Sequence, residues 1–226
     1  MVISAPPDLE TRARLSGGTS DLAIYHMIAR VLSDRRIQGG ILIDVGCGAG
    51  GLWSHINQRF DRYIGVDCVD YQNLPSAVEF HRSDLDGGRL SLPDDLGDVV
   101  VAAETVEHLE NPRAFFREIT RLATPGGWII VTTPNQLSFL SLATLIFKKQ
   151  FNAFQQASYP AHITALLEID LRRMADECGW QDVAVNYSLQ GRIILTPRHY
   201  PRLISRILPR SCSDNILLIG RKPTQQ

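Results

Sequence analysis

The sequence predicts a doubly wound α/β fold around a seven-stranded, mostly parallel sheet. Three observations carry that prediction. Short apolar runs alternate with amphipathic segments from Ile41 to Thr132, the pattern of strands joined by crossover helices. The first run ends in a glycine-rich turn, Asp44-Val45-Gly46-Cys47-Gly48-Ala49-Gly50-Gly51. Two more apolar runs lie near the end of the chain, at 183–189 and 215–220, and suit an antiparallel pair at the sheet edge, with the last strand reversed.

Each element follows from local signals. Residues 1–18 hold two prolines, mixed charges and Gly17-Gly18 and are expected to be a flexible leader. The remaining residues, 19–226, are expected to form a single domain. Ser20 is the expected cap of a helix over 21–35, with Ile24, Ile28 and Val31 on one face. Strand 41–45 precedes the glycine turn, and a helix over 50–60 turns Leu52 and Ile56 inward. Strands follow at 62–66, 78–82 and 98–103, ending at Asp67, Ser83-Asp84 and Glu104.

The next helix is the best marked. Asn111 caps it, Pro112 takes the first helical position, and Phe115, Ile119 and Leu122 form its inner face. Pro125-Gly126-Gly127 is read as its stop, before a strand over 128–132. Residues 136–161 are an insertion with an apolar helix over 137–147. A helix over 164–178 ends at Gly179, and 191–214 is a second insertion. The two insertions are expected to cover a pocket.

Bulk properties bound the function. A chain of 226 residues suits one domain with a sizeable core. A net charge of −1 gives no global attraction to nucleic acid. Four scattered cysteines form no Cys-x-x-Cys pair, so a reduced, cytoplasmic protein is the default expectation. The run 137–147 is too short to span a bilayer, which takes roughly 20 residues. The oligomeric state is not legible.

The glycine turn fits two ligands. Gly46-x-Gly48-x-x-Gly51 matches a dinucleotide fingerprint, and Asp44-x-Gly46-x-Gly48-x-Gly50 matches an S-adenosylmethionine loop. Asp44 favours the second reading, because its charge attracts an ammonium and a sulfonium and repels a pyrophosphate. Asp67 suits the ribose of either cofactor. A nicotinamide-dependent reductase would need a hydride-transfer site, and the sequence has no Tyr-x-x-x-Lys pair of the short-chain type. A non-catalytic partner protein with a cofactor fold is the third reading.

The segment Glu104-Thr105-Val106-Glu107-His108-Leu109-Glu110-Asn111-Pro112 adds weight. With the glycine turn, Val66-Asp67-Cys68-Val69-Asp70 and Ser83-Asp84-Leu85-Asp86, it resembles the class I S-adenosylmethionine-dependent methyltransferases, in particular the small-molecule group that includes ubiquinone-biosynthesis-type enzymes. The resemblance covers roughly 41–135 well and 161–180 more loosely, and it implies a Rossmann-like methyltransferase fold.

It also implies roles. Asp44, Gly46, Cys47 and Gly48 would lie along the amino-acid end of the cofactor. Asp67 would bind the ribose and Cys68 would pack beside the adenine. Asp84 and the Leu85 backbone would contact the adenine amino group. Glu104 and Thr105 would line the sulfonium region, and Tyr25 and His26 would cover the cofactor.

His108 is the candidate general base, since histidine suits proton transfer near neutral pH. Glu107 and Glu110 read as negative charges favoured at a helix start. His162 is a candidate for the acceptor pocket, whose substrate is read as a small, partly apolar molecule. Between Asp182 and Asp214 the chain has no acidic residue but has five arginines. Arg192, Arg198 and Arg202 are read as candidates to pair with an anionic acceptor, with 137–147 as an apolar wall. Contact of the basic segment with a membrane surface is left open. No metal site is assigned, for want of a spare carboxylate pair.

Overall fold

The computed structural model describes residues 9–224. Residues 1–8 of the expected flexible leader lie outside that range. Residues 9–15 form a helix, α1 (Leu9–Leu15), tied to the body by Glu10 to Arg82 at 2.8 Å and Arg12 to Glu110 at 3.2 Å.

Helix α2 (Leu22–Asp34) is capped by Asp21, not Ser20. The Asp21 carboxylate accepts from the Ala23 amide, while the Ser20 amide donates to the Tyr25 hydroxyl. Then follow β1 (Ile41–Val45), a short α3 (Trp53–Ile56), β2 (Arg62–Asp67), β3 (Glu79–Arg82) and β4 (Gly97–Ala102). The expected helix over 50–60 is therefore one α-helical turn followed by a 3₁₀ turn, Asn57–Arg59. Leu52 and Ile56 are buried as expected.

Helix α4 (Pro112–Leu122) has Asn111 as its cap. It ends before Pro125-Gly126-Gly127, because β5 (Ala123–Pro134) begins at once, Ala123 pairing with Gly97. The Pro-Gly-Gly sequence thus lies inside an irregular strand and is not the helix stop. The rest of the chain forms α5 (Phe139–Lys148), α6 (Glu168–Glu177), β6 (Gln181–Tyr187), α7 (Arg202–Ile207) and β7 (Asn215–Arg221). Helix α6 starts four residues later than its sequence pattern. The Ile163 and Thr164 amides both donate to the Glu107 carbonyl, and the Thr164 hydroxyl donates to that of Leu109. Tertiary bonds have taken the residues that would have opened the helix.

The sheet order is β3-β2-β1-β4-β5-β7-β6. The first five strands are parallel, and β7 runs antiparallel to both β5 and β6. Alternating side chains build a core on each face. Ile43, Val66, Val100 and Ile129 pack toward α4 and α6, while Leu42, Tyr63, Val99 and Ile130 pack toward α2 and α3. The order reverses between β1 and β4, so a crevice opens at their carboxyl ends, where doubly wound sheets bind ligands.

Candidate active site

A cavity of about 590 Å³ occupies that crevice. One half is built by the ends of β1 and β2. The Gly46 and Cys47 amides both donate to the Val66 carbonyl, at 2.7 and 3.1 Å, which folds the glycine turn back over β2. Gly48 has φ +52, and a Cβ there would sit 2.1 Å from the Gly18 carbonyl. Only glycine combines that backbone with that approach.

Asp67 holds the turn from below. Its Oδ2 accepts from the Gly48 amide and its Oδ1 from the Val69 amide, both at 2.9 Å. The carboxylate lines the cavity and keeps further lone pairs for a ligand.

Asp44 is 2% exposed. Its Oδ2 accepts from the Tyr63 hydroxyl at 2.6 Å, and its Oδ1 has no partner among the described residues. Burial pushes its pKa up to about 7, against the Tyr63 bond, and nearby Asp67 adds to the rise. A cationic group beside Oδ1 would satisfy the orphaned oxygen and favour the ionised form.

Tyr25, Cys68, Leu85, Glu104 and Thr105 also line the cavity. The Thr105 hydroxyl donates to the Val45 carbonyl. Glu104 stands at φ +50, a costly backbone for a residue with a side chain. Its carboxylate accepts from Thr132 at 2.8 Å and Asn215 at 2.9 Å, and burial raises its pKa to about 7.

Two expected contacts fall elsewhere. Asp84 is exposed, outside the described lining, with Oδ1 accepting from the Asp86 amide. His26 is exposed and meets His55 edge-on.

The other half of the cavity gathers His108, His162 and Arg192. His108 Nδ1 lies 2.8 Å from the Ala161 carbonyl. A carbonyl only accepts, so Nδ1 carries the proton and Nε2 carries the lone pair. Burial, reinforced by His162, lowers the His108 pKa to about 4. Glu107 is 0% exposed, not a solvated charge at a helix start, and lines the cavity beside His108. Glu110 is exposed as expected.

The expected cover is only partly built as read. Arg192 lines the cavity and pairs with Asp214 at 3.1 Å. Arg198 and Arg202 are exposed and outside the described lining, whereas His199, also exposed, belongs to it. Helix α5 does not offer an apolar wall. It buries Ser141 and Thr144 and leaves Ile146 and Phe147 64% and 83% exposed. What 137–147 gives to the lining is Ser138 and Ser141.

Sequence reasoning missed the leader helix. Arg12, Ala13 and Ser16 line the cavity, and the Gly18 carbonyl accepts from the Ala49 amide of the glycine turn at 2.8 Å. The only sequence signal was the Glu10/Arg14 spacing, which marks a helix but not its docking.

Strand order, reversed last strand and glycine turn together define a class I methyltransferase fold. A family described as a methyltransferase domain matches residues 21–185. The chain belongs to that family.

Curated relatives are similar over shorter stretches. A probable S-adenosylmethionine-dependent methyltransferase of Mycolicibacterium smegmatis is 34% identical over 107 residues, 46% of this chain and 42% of that protein. A ubiquinone biosynthesis O-methyltransferase of Leptothrix cholodnii is 27% identical over 111 residues, 45% of this chain and 47% of that protein. The chain thus spans under half the length of these relatives.

Solved structures share the fold. A SAM-dependent methyltransferase from Archaeoglobus fulgidus superposes with a TM-score of 0.63 at 17% identity, covering 95% of this chain and all of that one. A putative methyltransferase of Haloferax volcanii, solved with the Trm112 activator, gives 0.67 at 18% identity, covering 97% and 100%. Among the described residues, no helix is long and apolar enough to cross a membrane.

Proposed function

We propose that the chain binds S-adenosylmethionine in the β1–β2 half of the cavity and transfers its methyl group to an oxygen, nitrogen or carbon of a small molecule in the other half. The observation that carries the reading is the orphaned Asp44 Oδ1, buried beside the glycine turn. It is an anionic acceptor in want of a cation, where the amino-acid end of this cofactor would bring an ammonium group. Bound there, S-adenosylmethionine supplies an electrophilic methyl group.

The residues divide the remaining work. Asp44 compensates positive charge, and Asp67 offers acceptors to the ribose. Cys68 and Leu85 pack beside the base. Tyr25, on α2, and α1 keep water from the turn. His108, held by the Ala161 carbonyl, presents a neutral Nε2 that takes a proton from the acceptor. Much of the rate comes from holding acceptor and methyl donor in line.

A cavity of about 590 Å³ lies within the small-ligand range of roughly 300–1,000 Å³. Because it holds both reactants, the acceptor is small or extends outward past Arg192 and His199. Its lining beyond the cofactor mixes polar groups, from Gln136, Ser141 and Asn152, with apolar ones, from Leu109, Pro134 and Ala153, so the buried part of the acceptor carries hydrogen-bonding groups on a partly apolar frame.

The test is calorimetry with S-adenosylmethionine, S-adenosylhomocysteine and NADH, followed by a turnover screen reading S-adenosylhomocysteine release with phenols, amines and carboxylic acids. Tighter binding of NADH than of S-adenosylmethionine would sink the reading. Binding without turnover on any acceptor class would favour a non-catalytic partner.

A further inference from the structure

Three ligand-bearing side chains meet in the acceptor half of the cavity, away from the Asp44–Asp67 cradle. Glu107 and His108 lie in the 3₁₀ turn Val106–His108 after β4. His162 comes from the segment before α6. The His108 and His162 rings meet edge-on, with centroids 4.8 Å apart. One ligand atom from each of the three residues lies within 4.8 Å of the others.

Their hydrogen bonding is that of ligands without an ion. His162 Nδ1 lies 2.7 Å from the Ala153 carbonyl, as His108 Nδ1 lies 2.8 Å from that of Ala161. Both rings are therefore fixed as the Nδ1–H tautomer with Nε2 as the lone-pair atom. Metal-binding imidazoles are oriented in this way, by a carbonyl on the far nitrogen. Each ring therefore offers its Nε2 lone pair to an ion, the form in which an imidazole binds a metal.

Glu107 is the more telling member. Its side chain is wholly buried, and neither carboxylate oxygen reaches hydrogen-bond geometry with a described donor. The nearby Thr133 hydroxyl satisfies one oxygen at most. A buried carboxyl group so placed costs free energy unless something positive meets it.

We propose that Glu107, His108 and His162 bind a divalent first-row transition-metal cation at the acceptor end of the cavity. Two imidazoles and one carboxylate on one side of the ion leave open positions. All three residues line the cavity, so those positions face the acceptor. At bond lengths of roughly 2.0–2.2 Å, ligand atoms stand roughly 3 Å apart, so the side chains tighten on binding. The backbone already couples them, because the Ile163 and Thr164 amides beside His162 donate to the Glu107 carbonyl at 3.0 Å.

The consequence for chemistry rests on the methyltransferase reading. An acceptor oxygen in an open position would be oriented and made more acidic by the ion, so that its proton would pass to solvent, and His108, its Nε2 lone pair spent on the ion, would act as a ligand and not as the base. The binding itself does not rest on that reading.

The test titrates chelator-treated protein with Zn²⁺ or Mn²⁺ alone, in parallel with S-adenosylhomocysteine. A saturable single site is expected. Glu107→Gln and His162→Ala should each weaken it by roughly tenfold or more, with S-adenosylhomocysteine affinity held within about threefold. The pair His26, exposed, and His55, half-buried, lies outside the described lining of the cavity and is the control, and H26A/H55A should bind metal like the wild type.

An arm without site mutations uses Co²⁺. In the loaded H26A/H55A protein, two imidazole Nδ1–H proton resonances should show paramagnetic shifts. Absence of saturable metal binding, affinity unchanged in both site variants, or unshifted imidazole signals would each overturn the site. Metal binding without cofactor binding would remove the methyltransferase reading and leave the site. Cofactor binding without metal binding would do the reverse.

Discussion

The two halves of the cavity are built by different means. In the β1–β2 half the sheet does the placing. Strand ends carry Asp44 and Asp67, and backbone amides of the turn bond to Val66 and Asp67. In the acceptor half, short turns and insertions do the placing. His108 is fixed by a carbonyl 53 residues away in sequence, and Arg192 by Asp214 in the second insertion. The first half is a property of the fold, and the second is a property of this chain. If that division is right, changes on one side should leave the function of the other intact.

The largest effect should come from His108→Ala. Turnover on whichever acceptor the screen returns should fall by ~10²–10⁴, whether His108 acts as base or as metal ligand, while S-adenosylmethionine affinity stays unchanged. A fall below about threefold at saturating acceptor would leave positioning as the source of rate.

Asp44→Ala should give the opposite pattern. Losing a charged partner costs about 1.5–3 kcal/mol, a loss of roughly tenfold or more in S-adenosylmethionine affinity. Asp67→Ala should weaken binding as well, by releasing the Gly48 amide and the ribose contact. Metal affinity should hold in both variants. Calorimetry reads all of these, and a joint loss of metal and cofactor binding would mean the halves are not separate.

The same contrast explains how much was legible in the sequence. All seven strands were, the central ones because buried strands are short apolar runs whose ends name Asp44, Asp67 and Glu104, and the edge strands β3 and β6, which bury no residue fully, through their place in the alternation of strands and helices. The start of β5 was not, because a Pro-Gly-Gly sequence looks like a helix stop until Gly97 is seen to pair with Ala123. Helix α5 was legible as a helix but not in its orientation. Ser141 and Thr144 face in while Ile146 and Phe147 face out, and periodicity cannot say which stripe meets the body. The Glu107–His108–His162 cluster was hidden for a related reason. Its members lie up to 55 residues apart in sequence, and the segment before α6 that brings them together is held by bonds to Glu107 and Leu109.

Charge offers a subtler test. The Asp44 pKa is raised from its ordinary value of 3.8 to about 7, so the folded protein holds that proton more tightly than the unfolded chain does. The stability tied to the neutral carboxyl is fully present below about pH 3.8 and is lost as pH climbs through 7. Ligand-free wild type should therefore lose stability relative to Asp44→Asn as pH rises across that window, read as a widening Tm difference. Over the same window S-adenosylmethionine affinity should rise in the wild type and rise less in Asp44→Asn. Parallel pH profiles for the two proteins would place the titrating group elsewhere, with Glu104 the next candidate.

The smallest effect should separate the arginines of the second insertion. Arg192 lines the cavity, whereas Arg198 and Arg202 stand in solvent outside its described lining. Arg192 is also half spent on Asp214, at 50% side-chain exposure, and exposed ion pairs contribute only about 0–1 kcal/mol. For an anionic acceptor, Arg192→Ala should therefore raise KM by no more than roughly fivefold, which is what that free energy allows. The effect should shrink as salt rises. Arg198→Ala and Arg202→Ala should leave KM unchanged, and none of the three should alter S-adenosylmethionine affinity, since that ligand lies against the strand ends. Equal effects from all three would mean that 191–214 folds further over the acceptor during turnover, bringing Arg198 and Arg202 to a pocket they do not line in this structure. The acceptor half would then be defined by closure of the cover as well as by its resting geometry.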